Sequence, residues 1–278
     1  MDWGKVKKTI IFFLCLLNVS LFGLIYMNNR AYRLTQSRER LIASVLLKNN
    51  IICYSEIIKN FSPMRQIEMQ PPEYDEDVLL SIFMSAPESA VRSMERSRVI
   101  FRNEFEESLI IDGPGVIYKN RGAAGASVTP EEAERLGAEL IKKMKKLGGN
   151  FIADGPPTET EDGWLFQYWD NYKGYLINSN SINILINGNG IASVEFTYYK
   201  PVSFIGVRRE VCSPDEALLT VMHGIRGLYG DYAEPKFILK MDFVYHNNLS
   251  TKATPYYRVY VSGLDSPFLI NAYENTIL

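Results

Sequence analysis

The stretch INILINGNGIASVEFTYY, Ile182 to Tyr199, decides the fold class. Ile182, Ile184 and Ile186 alternate with Asn183 and Leu185, which puts the three isoleucines on one face of an extended chain. Asn187-Gly188-Asn189-Gly190 follows, rich in residues that accept positive φ, and Ile191 to Tyr199 continues as a second extended run. Two such runs around an Asn-Gly turn predict an antiparallel hairpin. Strand-type sequence surrounds it. Trp164, Phe166 and Tyr168 alternate with Leu165, Gln167 and Trp169. Phe237, Leu239, Met241, Phe243 and Tyr245 alternate strictly. Val99–Phe101, Leu109–Ile111 and Val116–Tyr118 form shorter runs, the last two joined by Gly113-Pro114-Gly115. Tyr256–Val261 and Phe268–Tyr273 read as two final strands.

Helices interrupt these strands at two places marked by the same phrase. Thr129-Pro130-Glu131-Glu132-Ala133 offers an N-cap, a proline at the first helical position and a capping-box glutamate. Ala133, Leu136, Leu140, Ile141, Met144 and Leu147 then lie on one face, and Gly148-Gly149 ends the run. Ser213-Pro214-Asp215-Glu216-Ala217 repeats the opening and leads to Gly227–Gly230. Asp75–Met84 reads as a shorter helix. Helices set among antiparallel strands define an α+β fold, and the shared phrase raises the expectation of a repeated helix-plus-sheet unit.

Thr9 to Asn29 carries no charge, and its apolar core, Ile10 to Met27, matches a hydrocarbon layer of about 30 Å. Ile25-Tyr26-Met27-Asn28-Asn29 offers no small-residue cleavage site, so an uncleaved anchor is expected. With a tail of eight residues before it and a long domain after it, residues 1–8 are read as cytoplasmic, 9–29 as a transmembrane helix and the remainder as extracytoplasmic. Residues 30–72 are read as a juxtamembrane helix and an extended connector. In the helix Leu34, Leu41, Ile42, Val45 and Leu46 recur at helical spacing up to Asn49-Asn50, and the connector is Ile51 to Pro72. The α+β portion spans 73–278, with subdomains of about 73–200 and 201–278. The polar turns after the anchor, RAYRLTQSRER, fall at the level of lipid headgroups or on a solvated helix face.

The formal net charge is −2, and without Asp2, Lys5, Lys7 and Lys8 it is about −4. That excludes the basic surface of a nucleic-acid binder. No HExxH, CxxC, GxSxG or P-loop pattern occurs, so neither a catalytic site nor a metal or other cofactor is expected. The acidic clusters Glu73–Asp77 and Glu159–Asp162 read as solvated loops, with paired-carboxylate hydrolysis as the alternative. Cys53 and Cys212 read as separate thiols, with pairing in an oxidising compartment as the alternative. Two other features point to binding. Asn18 sits mid-membrane, and Leu14, Asn18, Leu21 and Ile25 line one helical stripe that a partner helix would contact. Trp164, Trp169 and Tyr172 are candidates for a groove, against sheet packing as the simpler account.

Met1-Asp2-Trp3-Gly4-Lys5-Val6-Lys7 followed by Leu16-Leu17-Asn18 resembles the start of YycI proteins of the YycH/YycI family. Leu46-Leu47-Lys48-Asn49-Asn50-Ile51 is similar to that family's helix end. Thr254-Pro255-Tyr256-Tyr257-Arg258-Val259 with Leu269-Ile270-Asn271-Ala272-Tyr273-Glu274 is similar to its terminal hairpin. The resemblance implies an extracytoplasmic α+β regulator without catalytic residues. Its partners would be the cell-wall-controlling WalK (YycG) sensor histidine kinase of Gram-positive bacteria and a YycH-type protein, reached through membrane helices and outer domains. The competing readings are a sensor that captures a wall fragment and a membrane-anchored wall hydrolase.

Overall fold

The computed structural model describes residues 3–121, 128–230, 234–248 and 250–278, with the side chains of Lys5 and residues 25–30 outside the described set. The elements run α1 (Trp3–Ala31), α2 (Gln36–Lys48), β1 (Ile51–Cys53), β2 (Met64–Gln70), α3 (Glu76–Phe83), β3 (Val91–Glu95), β4 (Arg98–Arg102), β5 (Glu107–Asp112) and β6 (Gly115–Asn120). They continue with α4 (Pro130–Met144), β7 (Phe151–Ala153), β8 (Thr158–Thr160), β9 (Gly163–Tyr172), β10 (Tyr175–Asn187), β11 (Gly190–Thr197) and β12 (Lys200–Arg209). The chain ends with α5 (Pro214–Tyr229), β13 (Lys236–His246), β14 (Lys252–Val261) and β15 (Phe268–Asn271). The fold is α+β, with mostly antiparallel strands, and it divides into two compact units. Unit 1 is Met1–Met64, Arg208–Asp242 and Tyr257–Leu278, and unit 2 is Arg65–Val207 with Phe243–Tyr256. This division differs from a sequential one with a cut near residue 200, because the chain crosses between units four times, within β2, β12, β13 and β14.

Unit 2 is built on an antiparallel sheet ordered β3-β4-β5-β6-β11-β10-β9, with β7 and β8 on the far edge of β9. The β10–β11 hairpin pairs Ile182 with Phe196 and Ile184 with Val194 around the expected turn. One face is apolar, and α3 and α4 cover it. Leu79, Phe83, Ala133, Leu140 and Met144 pack there with Phe166, Ile182, Ile184, Ile186 and Phe196. Thr129 caps α4 by accepting from the Glu132 N–H, but the Glu132 carboxylate bonds Arg135 instead of closing the expected capping box. The register of β10 against β9 shifts between Ile177 and Ser181. Asn180 fills the gap. Its amide donates to Asp170 Oδ2 of β9 at 3.0 Å, and on the other side it accepts from Tyr199 N–H at 2.9 Å and donates to Tyr199 C=O at 2.7 Å.

In unit 1, β1 pairs with β13 in parallel, Phe237 and Ser262 bond each other across β13 and the end of β14, and β15 pairs with β14. The core includes Ile42 and Leu46 of α2 together with Ala217, Leu218, Val221 and Ile225 of α5, all buried. Arg258 is fully buried and forms a fork with Asp242 at 2.9 and 2.7 Å, which satisfies the charge that burial would otherwise destabilise.

Two expectations for residues 30–72 are corrected. The helix does not run on from Arg30 to Leu47. It breaks after Ala31, and Thr35 caps a new helix by accepting from Arg38 N–H. Between them Tyr32–Leu34 is extended, because Leu34 N–H donates to Lys59 C=O and Phe61 N–H to Tyr32 C=O. Ile51–Pro72 is likewise more than a connector. β1 and β2 lie within it, paired with strands almost two hundred residues away.

Candidate functional site

The first candidate region is α1. Val6–Leu24 is long and apolar enough to cross a membrane, and none of that span is buried within the protein. Leu14 and Leu21 of the expected stripe are 52% and 46% exposed, and Asn18 is exposed beside them. The Ile25 side chain lies outside the described residues. The Asn18 amide donates to Leu14 C=O at 2.9 Å, four residues back on its own helix. Its amide oxygen and second amide N–H are the groups with which it would meet a partner helix.

The chain just after α1 lines a cleft of about 1260 Å³. Its floor is the short antiparallel ribbon in which Arg33 bridges Asn60. Leu34 is buried beneath the ribbon, which leaves the alternate residue Arg33 exposed. Tyr32 and Phe61 meet edge to face with centroids 6.0 Å apart. Arg33, Lys59 and Arg208 contribute cations to the lining, and Glu39 and Glu210 contribute anions. Lys59 lies 3.4 Å from Glu39.

The next helix, α2, is tied to the start of α5. Arg38 donates from Nε and Nη2 to the two oxygens of Asp215, both at 2.9 Å, and from Nη2 to Ser213 Oγ at 2.9 Å. Ser213 N–H in turn donates to Glu216 Oε2 at 2.9 Å, so the first turn of α5 is both capped and clamped.

The groove candidates are not brought together. Trp164 packs against the unit 2 core and its indole N–H donates to Val128 C=O. Trp169, an odd number of residues further along β9, lies on the opposite face. Tyr172 donates to Val202 C=O at 2.8 Å and tilts against Phe204. The acidic clusters are also occupied in part. Asp75 caps α3, and Glu76 forms a fork with Arg92. Cys53 and Cys212 are free thiols. Burial pushes both upward, and at Cys212, with Glu216 and Asp215 adding to it, the value is about 12, which leaves it a poor nucleophile. Sequence reading passed over the cleft and the Arg38 clamp, whose members carry no motif and meet only in the fold.

No family model and no curated protein sequence matches the chain. Among solved structures, it is similar to an uncharacterised protein from Eubacterium rectale ATCC 33656, with a TM-score of 0.54 and 13% identity over 82% of this chain and 89% of that one. It is also similar to YycH from Bacillus subtilis, with a TM-score of 0.50 and 10% identity over 75% of this chain and 54% of that one. The C-terminal domain of YpeB from Bacillus megaterium gives 0.42 and 10%, over 74% and 96%. The first two likenesses show a shared fold, and at such identities they carry no residue's role across.

Proposed function

We propose that this chain is a membrane-anchored, non-enzymatic regulator of a cell-wall-controlling two-component sensor kinase of the WalK/YycG type. It acts together with a YycH-type partner, with the amino terminus inside the cell and the bulk of the chain outside. The observation that carries the reading is α1, an apolar helix with no cover in its own protein. The resemblance of residues 1–18 to YycI proteins and the fold shared with YycH support the same reading. A regulator biases a two-state kinase only by binding one state better than the other, so α1 and the outer units must contact the kinase or its partner differently in the two states.

The test is co-purification of the kinase and the YycH-type protein from membranes with three forms of the chain. These are the native chain, Asn18→Leu, and a chain whose α1 is replaced by an unrelated apolar helix. The native chain retains both partners, the α1 replacement loses them, and Asn18→Leu binds less at matched membrane abundance, with Val19→Leu behaving as native. Full retention by the α1 replacement would reduce the helix to a tether. Capture of neither protein by the native chain, with kinase-controlled transcription unchanged on deletion, would end the reading.

A further inference from the structure

We propose that the juxtamembrane cleft of unit 1 holds the anionic phosphate headgroup of a membrane lipid; the inference rests on the anchor assigned to α1 above. Position is the first argument. The apolar run ends at Met27, and α1 stays helical to Ala31. At 1.5 Å per residue, Tyr32 begins about 8 Å beyond the last apolar residue. The headgroup layer adds about 5–8 Å to each side of the hydrocarbon, so the ribbon enters the cleft at headgroup depth.

Composition is the second. Tyr32 packs edge to face on Phe61 in this ribbon, and tyrosine, with an apolar ring and a polar tip, collects at the membrane interface. Arg33, Lys59 and Arg208 converge on the same cleft from three separate segments. Lys59 already faces Glu39, and Glu210 also lines the cleft, so the lining is cationic by a single charge, and the two arginines are its planar, multi-donor groups suited to a phosphate. A bulk carboxylate would meet the same cations, but a cleft at this depth adjoins the headgroup layer, in which lipid phosphates are concentrated.

Geometry is the third. The cleft floor is backbone-bonded on both strands, through Leu34 N–H to Lys59 C=O at 2.8 Å and Phe61 N–H to Tyr32 C=O at 3.1 Å. A bound headgroup would therefore report itself as slower opening of a defined ribbon.

The test is amide hydrogen exchange of residues 32–36 and 59–62 in the full chain, reconstituted in lipid discs. One set of discs is pure phosphatidylcholine, and in the other about a third of the lipid is phosphatidylglycerol. Exchange of these amides slows by about fivefold or more in the anionic discs. Arg33→Gln with Arg208→Gln removes the difference, while Arg40→Gln with Lys48→Gln, exposed on α2 away from the cleft, retains it. Unchanged exchange within α5 confirms that each variant is folded. Equal exchange in the two kinds of disc, or the same slowing in the cleft variant, overturns the proposal. Inorganic phosphate in phosphatidylcholine discs is a separate arm, and slowing by phosphate alone would make this a soluble-anion site and overturn the lipid assignment. Failure of the anchor itself would show differently, as fast exchange of residues 6–24 in every disc.

Discussion

The two long capped helices open with nearly the same words and are used differently. In unit 2, α4 keeps its first-turn chemistry to itself. Thr129 caps Glu132 N–H, and the Glu132 carboxylate pairs with Arg135, which also reaches Glu139, all on one exposed helix face. In unit 1, α5 shares its first turn with another element. Asp215 and Ser213 are held by Arg38 of α2, the helix that follows the apolar α1. One helix is self-contained, and the other is wired to the helix that follows α1. A shared capping phrase thus reports how a helix starts and says nothing about what its acids will grip.

The largest expected effect separates the units by where each keeps its critical carboxylate. Glu107 of unit 2 is 5% exposed, and its carboxylate is held by neutral donors. Ser85 N–H, Ser85 Oγ, Asn103 Nδ2 and Tyr118 Oη all donate to it. Burial works to raise its pKa, and the donors from Asn103, Tyr118 and Ser85 outweigh that and hold it below the usual carboxylate range. Glu107→Gln turns an acceptor toward a ring of donors and is expected to cost about 2–3 kcal/mol in urea unfolding of the detergent-solubilised chain. The sign with pH follows. A folded pKa below the unfolded one, about 4.3 for Glu, stabilises fully above that value, and the contribution disappears as pH falls through the lower folded one. Acid sensitivity below about pH 4.5 is therefore expected to decrease in Glu107→Gln. An unchanged acid limb would mean that other carboxylates govern it.

A mid-sized effect comes from one glycine in each helix. A Cβ at Gly137 of α4 would meet Ile186, Phe166 and Tyr168 at 3.6–3.7 Å, ordinary contact. A Cβ at Gly224 of α5 would meet Ile277 at 2.6 Å and Phe268 at 2.9 Å. Gly137→Ala should gain up to about 1 kcal/mol from helix propensity. Gly224→Ala has the same gain opposed by about 1–3 kcal/mol of overpacking, so its net effect is a loss. Opposite shifts in the thermal midpoint confirm the contrast, and equal gains would show that the C-terminal segment at Ile277 yields freely.

What the sequence made legible was the chemistry of short range. The Asn187–Gly190 turn and the Thr129 and Ser213 starts needed only neighbours in the chain, and the structure has each of them. β13 forms where expected, but not with the expected apolar face: Leu239 is exposed, while Ile238 and Val244, of the opposite parity, are buried with Met241 and Tyr245. Features with distant partners were hidden. β1 and β2 looked irregular because three or seven residues show no period of their own, and their partners lie at Lys236–Ile238 and Lys252–Ala253. β3 is exposed along its whole length, so it has no apolar face to alternate. Leu34 fitted a helical spacing by coincidence, since it is buried by the ribbon with residues 59–61. The candidate sites divide the same way. Asn18 stood out as a polar residue in an apolar run, while its bond to Leu14 depended on a rotamer. The cleft joins residues 32–36, 59–63 and 208–210, and no linear pattern could place them together.

The smallest effect on stability bears most directly on the contrast between the helices. Arg38 is 44% exposed and Asp215 15%, so solvent screens their fork despite its good geometry. Arg38→Gln should cost no more than about 1 kcal/mol, and a double-mutant cycle with Asp215→Asn should return most of that as coupling, because the two groups touch. Arg135→Gln in α4 removes two pairs, to Glu132 and Glu139, exposed on both sides, and should leave unfolding nearly unchanged. The two variants are expected to diverge in the membrane. If α5 is held in register with the chain leaving the bilayer through Arg38, Arg38→Gln will lower output from a kinase-controlled promoter or raise it, at unchanged abundance and near-unchanged stability. Arg135→Gln will do neither. Promoter output unaffected by both would show that the clamp is a surface ion pair like its counterpart, and that the difference between the two helix starts has no part in signalling.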